Sequence, residues 1–137
     1  MPKLFLEIPE DYDFSLIGIS CHAKNYKLCW ELNDKLELDL HRGPDHTVEL
    51  NPEIEDRHAI YDFLDEENQV EYYLIENLGS ESYLAPELKE ADFFLMIKGA
   101  YSQLNADINK SLMNVRNVLA AFTIQPEKLK SRQNFLF

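Results

Sequence analysis

Cysteine, glycine, tryptophan and positive charge are all scarce in this 137-residue chain, which has two Cys, four Gly, one Trp, and 13 Lys and Arg against 25 Asp and Glu. Two cysteines cannot build a small disulfide framework. The opening stretch "MPKLFLEIPEDYDF" carries prolines and acids and lacks the apolar centre of a secretory signal, so free thiols in a reducing cytoplasm are expected. With so few glycines there is no P-loop, no G-x-G-x-x-G and no G-x-S-x-G. No apolar run approaches the roughly 18 to 20 residues of a membrane span. A net charge of −12 repels phosphate backbones and anionic lipid, which argues against nucleic-acid and membrane partners. The acids are spread through "IPEDYD", "ELNDKLELD", "ELNPEIED" and "DFLDEENQVE", the pattern of a solvated surface, and no D-x-[DN]-x-[DN]-G loop stands among them.

What remains is a globular composition, 45% hydrophobic and 12% aromatic, long enough for one domain spanning residues 1–137 with a core of its own. Alternation over 3–8 ("KLFLEI") predicts a strand, and the charge-free "FSLIGIS" at 14–20 predicts a short buried one, with a helical turn as the alternative. The period then changes. Over 22–36, Leu28, Cys29, Leu32 and Leu36 share a helical face from which Lys24, Lys27, Glu31 and Asp34 are excluded. "LELDLHR" at 36–42 returns to alternation, and 43–56, with Gly43, Pro44 and Pro52, reads as a connecting loop. "RHAIYDFL" and "QVEYYLIEN" flank "DEEN" as a hairpin, and "ADFFLMIK" at 91–98 is the most hydrophobic strand candidate and is expected at the centre of the sheet. Tyr101, Leu104, Ile108, Leu112 and Val115 mark an amphipathic helix, 118–124 a last strand, and Pro126 a short helical turn. The order β-β-α-β-β-β-β-α-β predicts an α+β fold, a two-layer sandwich. It consists of a mainly antiparallel sheet of about five to seven strands with two main helices on one face.

The scarce residues gather in "GISCHAKNYKLCWELN", which holds Cys21, His22, Cys29 and Trp30. The C-H-x6-C spacing matches no common zinc pattern, so no metal and no cofactor are expected. Cys29 lies on the apolar face as a small hydrophobe, and Trp30 is expected to anchor the helix. Cys21 stands where a strand ends and a helix begins, the setting in which backbone amides lower a thiol pKa. Cys21 and His22 are therefore the weak catalytic candidates, although adjacent side chains point apart. Ser20 offers the plainer role of an N-cap.

At the other end, Lys128, Lys130 and Arg132 precede Phe135, Leu136 and Phe137. A terminal apolar triplet must pack on its own core, on a second subunit or on another protein, so the tail 131–137 is a candidate partner-binding element. Arg116, between the second helix and the last strand, is a candidate anion clamp or a helix C-terminal charge. Tyr61, Phe63, Tyr72, Tyr73, Phe93 and Phe94 are rich for three strands. Those facing away from the helices would form an open partner surface unless 43–56 covers them.

Two stretches, "DFSLIGISCHAKNYKLCWELN" and "APELKEADFFLMIKG" followed by "NVLAAFTIQPEKLKSRQNFLF", together resemble a bacterial family named after an IPExxVDY motif. Pro86 and Glu87 stand before Ala91, Asp92 and Phe93 with one extra residue between the halves of that motif, and "IPEDYDF" at 8–14 is a second partial copy. The resemblance implies a small, bacterial, cytosolic protein and brings no activity, cofactor or catalytic residue with it. The expectation is a non-enzymatic, cytoplasmic protein-interaction domain working as a homodimer. The alternatives are an ACT-like small-molecule-binding regulatory module, with its ligand near Cys21–Lys24 or at a dimer seam, and a thiol-dependent enzyme using Cys21.

Overall fold

The computed structural model describes residues 14–99 and 104–137, so the strand expected at 3–8 and the contribution of Tyr101 lie outside the described residues. Among the described residues ten helices and strands follow one another: β1 (Phe14–Cys21), α1 (Asn25–Leu36), β2 (His41–Arg42), β3 (His46–Asn51), β4 (Ile54–His58), β5 (Ile60–Asp65), β6 (Val70–Glu76), β7 (Phe93–Lys98), α2 (Leu104–Met113) and β8 (Val118–Ile124). Short 3-10 turns occupy Pro86–Leu88, Pro126–Lys128 and Arg132–Phe135. Six strands form one antiparallel sheet in the order β2-β5-β6-β7-β1-β8, and β3 and β4 form a separate two-stranded ribbon. The fold is the expected α+β sandwich.

Strand alternation divides the apolar residues between the two faces. Ile17, Ile19, Cys21, Tyr61, Tyr72, Leu74, Phe93, Leu95 and Ile97 turn toward the helices, where Leu28, Cys29 and Leu32 of α1 and Ile108 and Leu112 of α2 complete one core. Leu16, Ile75, Phe94 and Met96 turn the other way into a second core. β7 therefore reads as a continuous apolar run because both of its faces are buried, and it lies inside the sheet, where its composition placed it. Gly18 of β1 is required by a close approach: a Cβ there would lie 2.6 Å from the Phe122 ring of β8.

Three expectations need correcting. The stretch 36–42 is not a strand through most of its length, because α1 runs to Leu36 and Glu37 turns left-handed at its C-cap (φ 57°). The Asn33 side chain then pairs both backbone groups of Leu40 (2.9 and 2.8 Å), leaving only His41–Arg42 to join the sheet. The stretch 43–56 is not a loop but most of the β3–β4 ribbon, with Asn51 Oδ1 accepting from the Glu53 N–H (2.8 Å) at its turn.

The second sheet face is also not open. Leu84, Ala85, Leu88 and Ala91 from the 77–92 connection, Val48 of the ribbon, and Leu129 and Phe135 of the tail all pack on it. Phe135 is fully buried and meets Phe94 edge to face at 5.1 Å between centroids. Replacing Phe135 with Ala empties that position and is expected to cost about 3–5 kcal/mol, read as a lower urea midpoint at unchanged m-value.

Candidate functional site

The β1–α1 junction is built differently from its sequence reading. Ser20 does not cap the helix; its hydroxyl donates to the Glu90 carbonyl at 2.6 Å. The helix begins four residues after Cys21, at Asn25, with Lys24 in the N-cap position and no side-chain cap. Its start is held instead by a relay in which the Tyr61 hydroxyl donates to Asn25 Oδ1 (2.9 Å) and Asn25 Nδ2 donates to Glu76 Oε1 (2.9 Å). Cys21 closes β1 inside the core, with its amide donating to Asp92 Oδ2 (2.8 Å) and its sulfur accepting from the Ala23 N–H (3.4 Å). Burial pushes the Cys21 thiol up, outweighing that hydrogen bond, and pushes Cys29 up to about 11. The pKa-lowering environment expected of a helix start is absent because the thiol sits on the strand side of the junction.

Beside it lies a groove of about 320 Å³ whose walls include Cys21, His22, Glu76, Tyr83 and Asp92. His22 is exposed, so the Cys21–His22 pair is split between core and solvent. Among the described residues, no group of three or more His, Cys, Asp and Glu side chains is arranged to hold a metal ion.

A second polar cluster went unread in the sequence because its residues fall in or beside the stretch read as a loop. Asp56 and His58 on β4 are 1% and 0% exposed, and His58 Nε2 lies 2.9 Å from Asp56 Oδ2. His58 Nδ1 is 2.9 Å from the Glu76 carbonyl, which can only accept, so Nδ1 is placed to donate there while Nε2 faces Asp56. Asp56 also accepts from the Glu81 N–H (2.8 Å) and the Ser82 hydroxyl (3.0 Å). Burial alone would raise the Asp56 carboxyl; these two donors and the His58 charge outweigh it and hold the carboxyl below its usual range. The Ser82 hydroxyl donates to the carboxylate rather than to the imidazole, which is not the arrangement of a nucleophilic triad. Gly79 seals the cluster, since a Cβ there would lie 2.5 Å from Asp56 Oδ1 and 2.7 Å from His58 Cε1. Its chemistry is that of a pin between the ribbon and the 77–92 connection.

The other candidates are dispersed. Arg116 is exposed in the turn before β8. Leu136 is half-buried, and Phe137, 43% exposed, stacks on His46 and meets Tyr73 edge to face while Lys98 bonds its carbonyl. Glu87, of the motif-like stretch, accepts from the Ser131 amide (3.0 Å) and hydroxyl (3.1 Å) and so ties the tail down. Trp30 anchors nothing; it is 68% exposed on the outer face of α1, one turn from Tyr26 at 64%.

The surface charge is segregated. From Phe14 to Trp30 and again from Ile108 to Pro126 the chain has no Asp or Glu. The first stretch is β1 and the first half of α1; the second is most of α2, the following turn and β8. Because β8 pairs with β1 at the end of the sheet, one border of a strongly acidic protein is free of acids in its own strands, and it carries Lys110 and Arg116.

The pin has a pH signature. A carboxyl depressed in the folded state contributes stability that is complete above its unfolded pKa, about 3.9, and is lost as pH falls through the lower folded value. Asp56→Asn is therefore expected to flatten the acid limb of the stability–pH curve below about pH 4. Gly79→Ala should destabilise by about 1–3 kcal/mol at neutral pH through overpacking, measured by urea unfolding. Iodoacetamide should label Cys21 more slowly than a model thiol at pH 7.5; faster labelling would contradict the buried, raised thiol. No family model matches the chain, and no curated protein matches it either.

Proposed function

We propose that the chain is a non-enzymatic, cytoplasmic protein-association domain that works as a homodimer. The reading is supported above all by the acid-free border. Two chains that each carry −12 repel wherever their acids meet, and β8, the strand at that end of the sheet, has no acid of its own. The sheet face and the buried part of the tail are occupied within the chain, so association falls to this border rather than to the aromatic face. A thiol-dependent enzyme has lost its support, because Cys21 is buried and its thiol is raised. Membership in the IPExxVDY family remains part of the proposal; its motif-like residues Glu87 and Asp92 serve here as tethers for the tail and for β1.

A second reading rests on the groove beside Cys21 and His22, which coincides with the place where a small-molecule regulatory ligand was expected. A thermal-shift screen with metabolites tests it, since a ligand at 100 times its dissociation constant stabilises by about 2.7 kcal/mol. The homodimer reading is tested by sedimentation equilibrium over a range of protein and salt concentrations. The expected outcome is a dimer that strengthens with added salt as the surrounding acids are screened; a monomer throughout would sink it.

A further inference from the structure

Resting on that association reading, we propose that β8 of one chain pairs antiparallel with β8 of a second copy, joining the two sheets edge to edge. Among the described residues β8 has one strand partner, β1, so the opposite side of its backbone presents unpaired N–H and C=O groups. Most of the devices that guard natural edges are missing from it: Val118–Ile124 has no proline, no lysine and no charge of either sign, and its one irregularity is a bulge at Leu119, where Ser20 faces Ala120 and Cys21 faces Val118. Leu119 holds an apolar side chain 58% exposed on this strand.

A second copy fits the edge better than a foreign strand. An uncharged edge offers no electrostatic handle by which to select a charged partner, and the acids that make two copies repel are absent from it. A twofold axis perpendicular to the sheet makes the contact isologous and closed, and keeps both helical layers on the same side. With Ala121, the middle residue of β8, on that axis, each Leu119 lies beside Thr123 of the other chain. Arg116, before the strand, comes opposite the segment just past its end in the second copy. That segment contains Glu127, the first acid after Asp107 and exposed. The arrangement thus sets Arg116 near Glu127 at both ends of the seam, with exposed Lys128 the next residue along, and it gives Arg116 a partner that no bond among the described residues supplies.

The test uses the full chain in sedimentation velocity, with far-UV circular dichroism to confirm folding. Leu119→Lys is expected to weaken dimerisation by at least about tenfold, and Leu64→Lys, equally exposed but on β5, to leave it unchanged. Arg116→Glu should weaken it, and Arg116→Glu combined with Glu127→Arg should restore part of the loss. Hydrogen exchange should show the β8 amides that point away from β1 protected in the wild-type dimer and unprotected in folded Leu119→Lys. A folded Leu119→Lys that dimerises normally overturns the β8 seam and leaves the homodimer reading standing. A monomer in which these outward amides are already protected shows the edge covered within its own chain and overturns the seam. A wild-type monomer with these outward amides exposed at high concentration overturns both.

Discussion

The second layer of this molecule depends on one buried amide. Asn77 is fully buried at the end of β6, and every hydrogen-bonding group it has is used. Its side chain donates to the Leu88 and Ala91 carbonyls (3.0 and 2.8 Å) and accepts from the Ala85 amide (2.9 Å), while its backbone bonds Asp92 and Leu84. That set folds the 77–92 connection into a clamp that presses Leu84, Ala85, Leu88 and Ala91 onto the sheet. The Asp56–His58 pin holds the ribbon to the same clamp, and the tail then docks on it through Glu87–Ser131 and through Asn134 Nδ2 donating to the Leu84 carbonyl (2.9 Å). In a low-dielectric interior such a network is strong when complete and costly when one member is lost.

The clamp has a consequence for function. An antiparallel sheet with helices on one side ordinarily leaves its other face wet or available. Here irregular backbone and a C-terminal strap fill that role, so Phe94 and Met96 are core residues rather than a docking face. Among the described residues, what stays open is lateral, the edge of β8, a strand with no acid of its own. Backbone pairing supplies directional bonds without charge, which suits a protein whose surface otherwise repels a copy of itself.

Much of the architecture was legible in the sequence because it follows from periodicity. The uncharged run "FSLIGIS", for which a helical turn was the alternative, the strongly hydrophobic "ADFFLMIK" and the period near 3.6 in Leu28, Cys29 and Leu32 carried that reading, and the structure has β1, a central β7 and α1 there. The ribbon was not legible, since His46–Asn51 and Ile54–His58 are largely polar and their prolines and glycine signal a loop. Its inward residues, Asp56 and His58, are buried by partners distant in sequence, and no local pattern reports that. Trp30 was misread for a related reason: apolar character implies burial only for residues within the helix's apolar arc, and Trp30 lies outside it. Of the candidate site, Cys21 and His22 were rightly placed beside a strand-to-helix junction, but whether a thiol faces core or solvent depends on where the helix starts, and the helix started at Asn25.

In the proposed dimer, the uncharged edge of the sheet is where a second chain joins. Antiparallel residues facing each other across a twofold axis have Cα atoms roughly 4.5–5.5 Å apart, within reach of a disulfide. The most direct measurement is mild oxidation of an Ala121→Cys chain, with the linkage mapped by mass spectrometry. The account predicts a covalent dimer joined through the two introduced thiols. A chain that stays monomeric under oxidation, or that links only through Cys21 or Cys29, would contradict it.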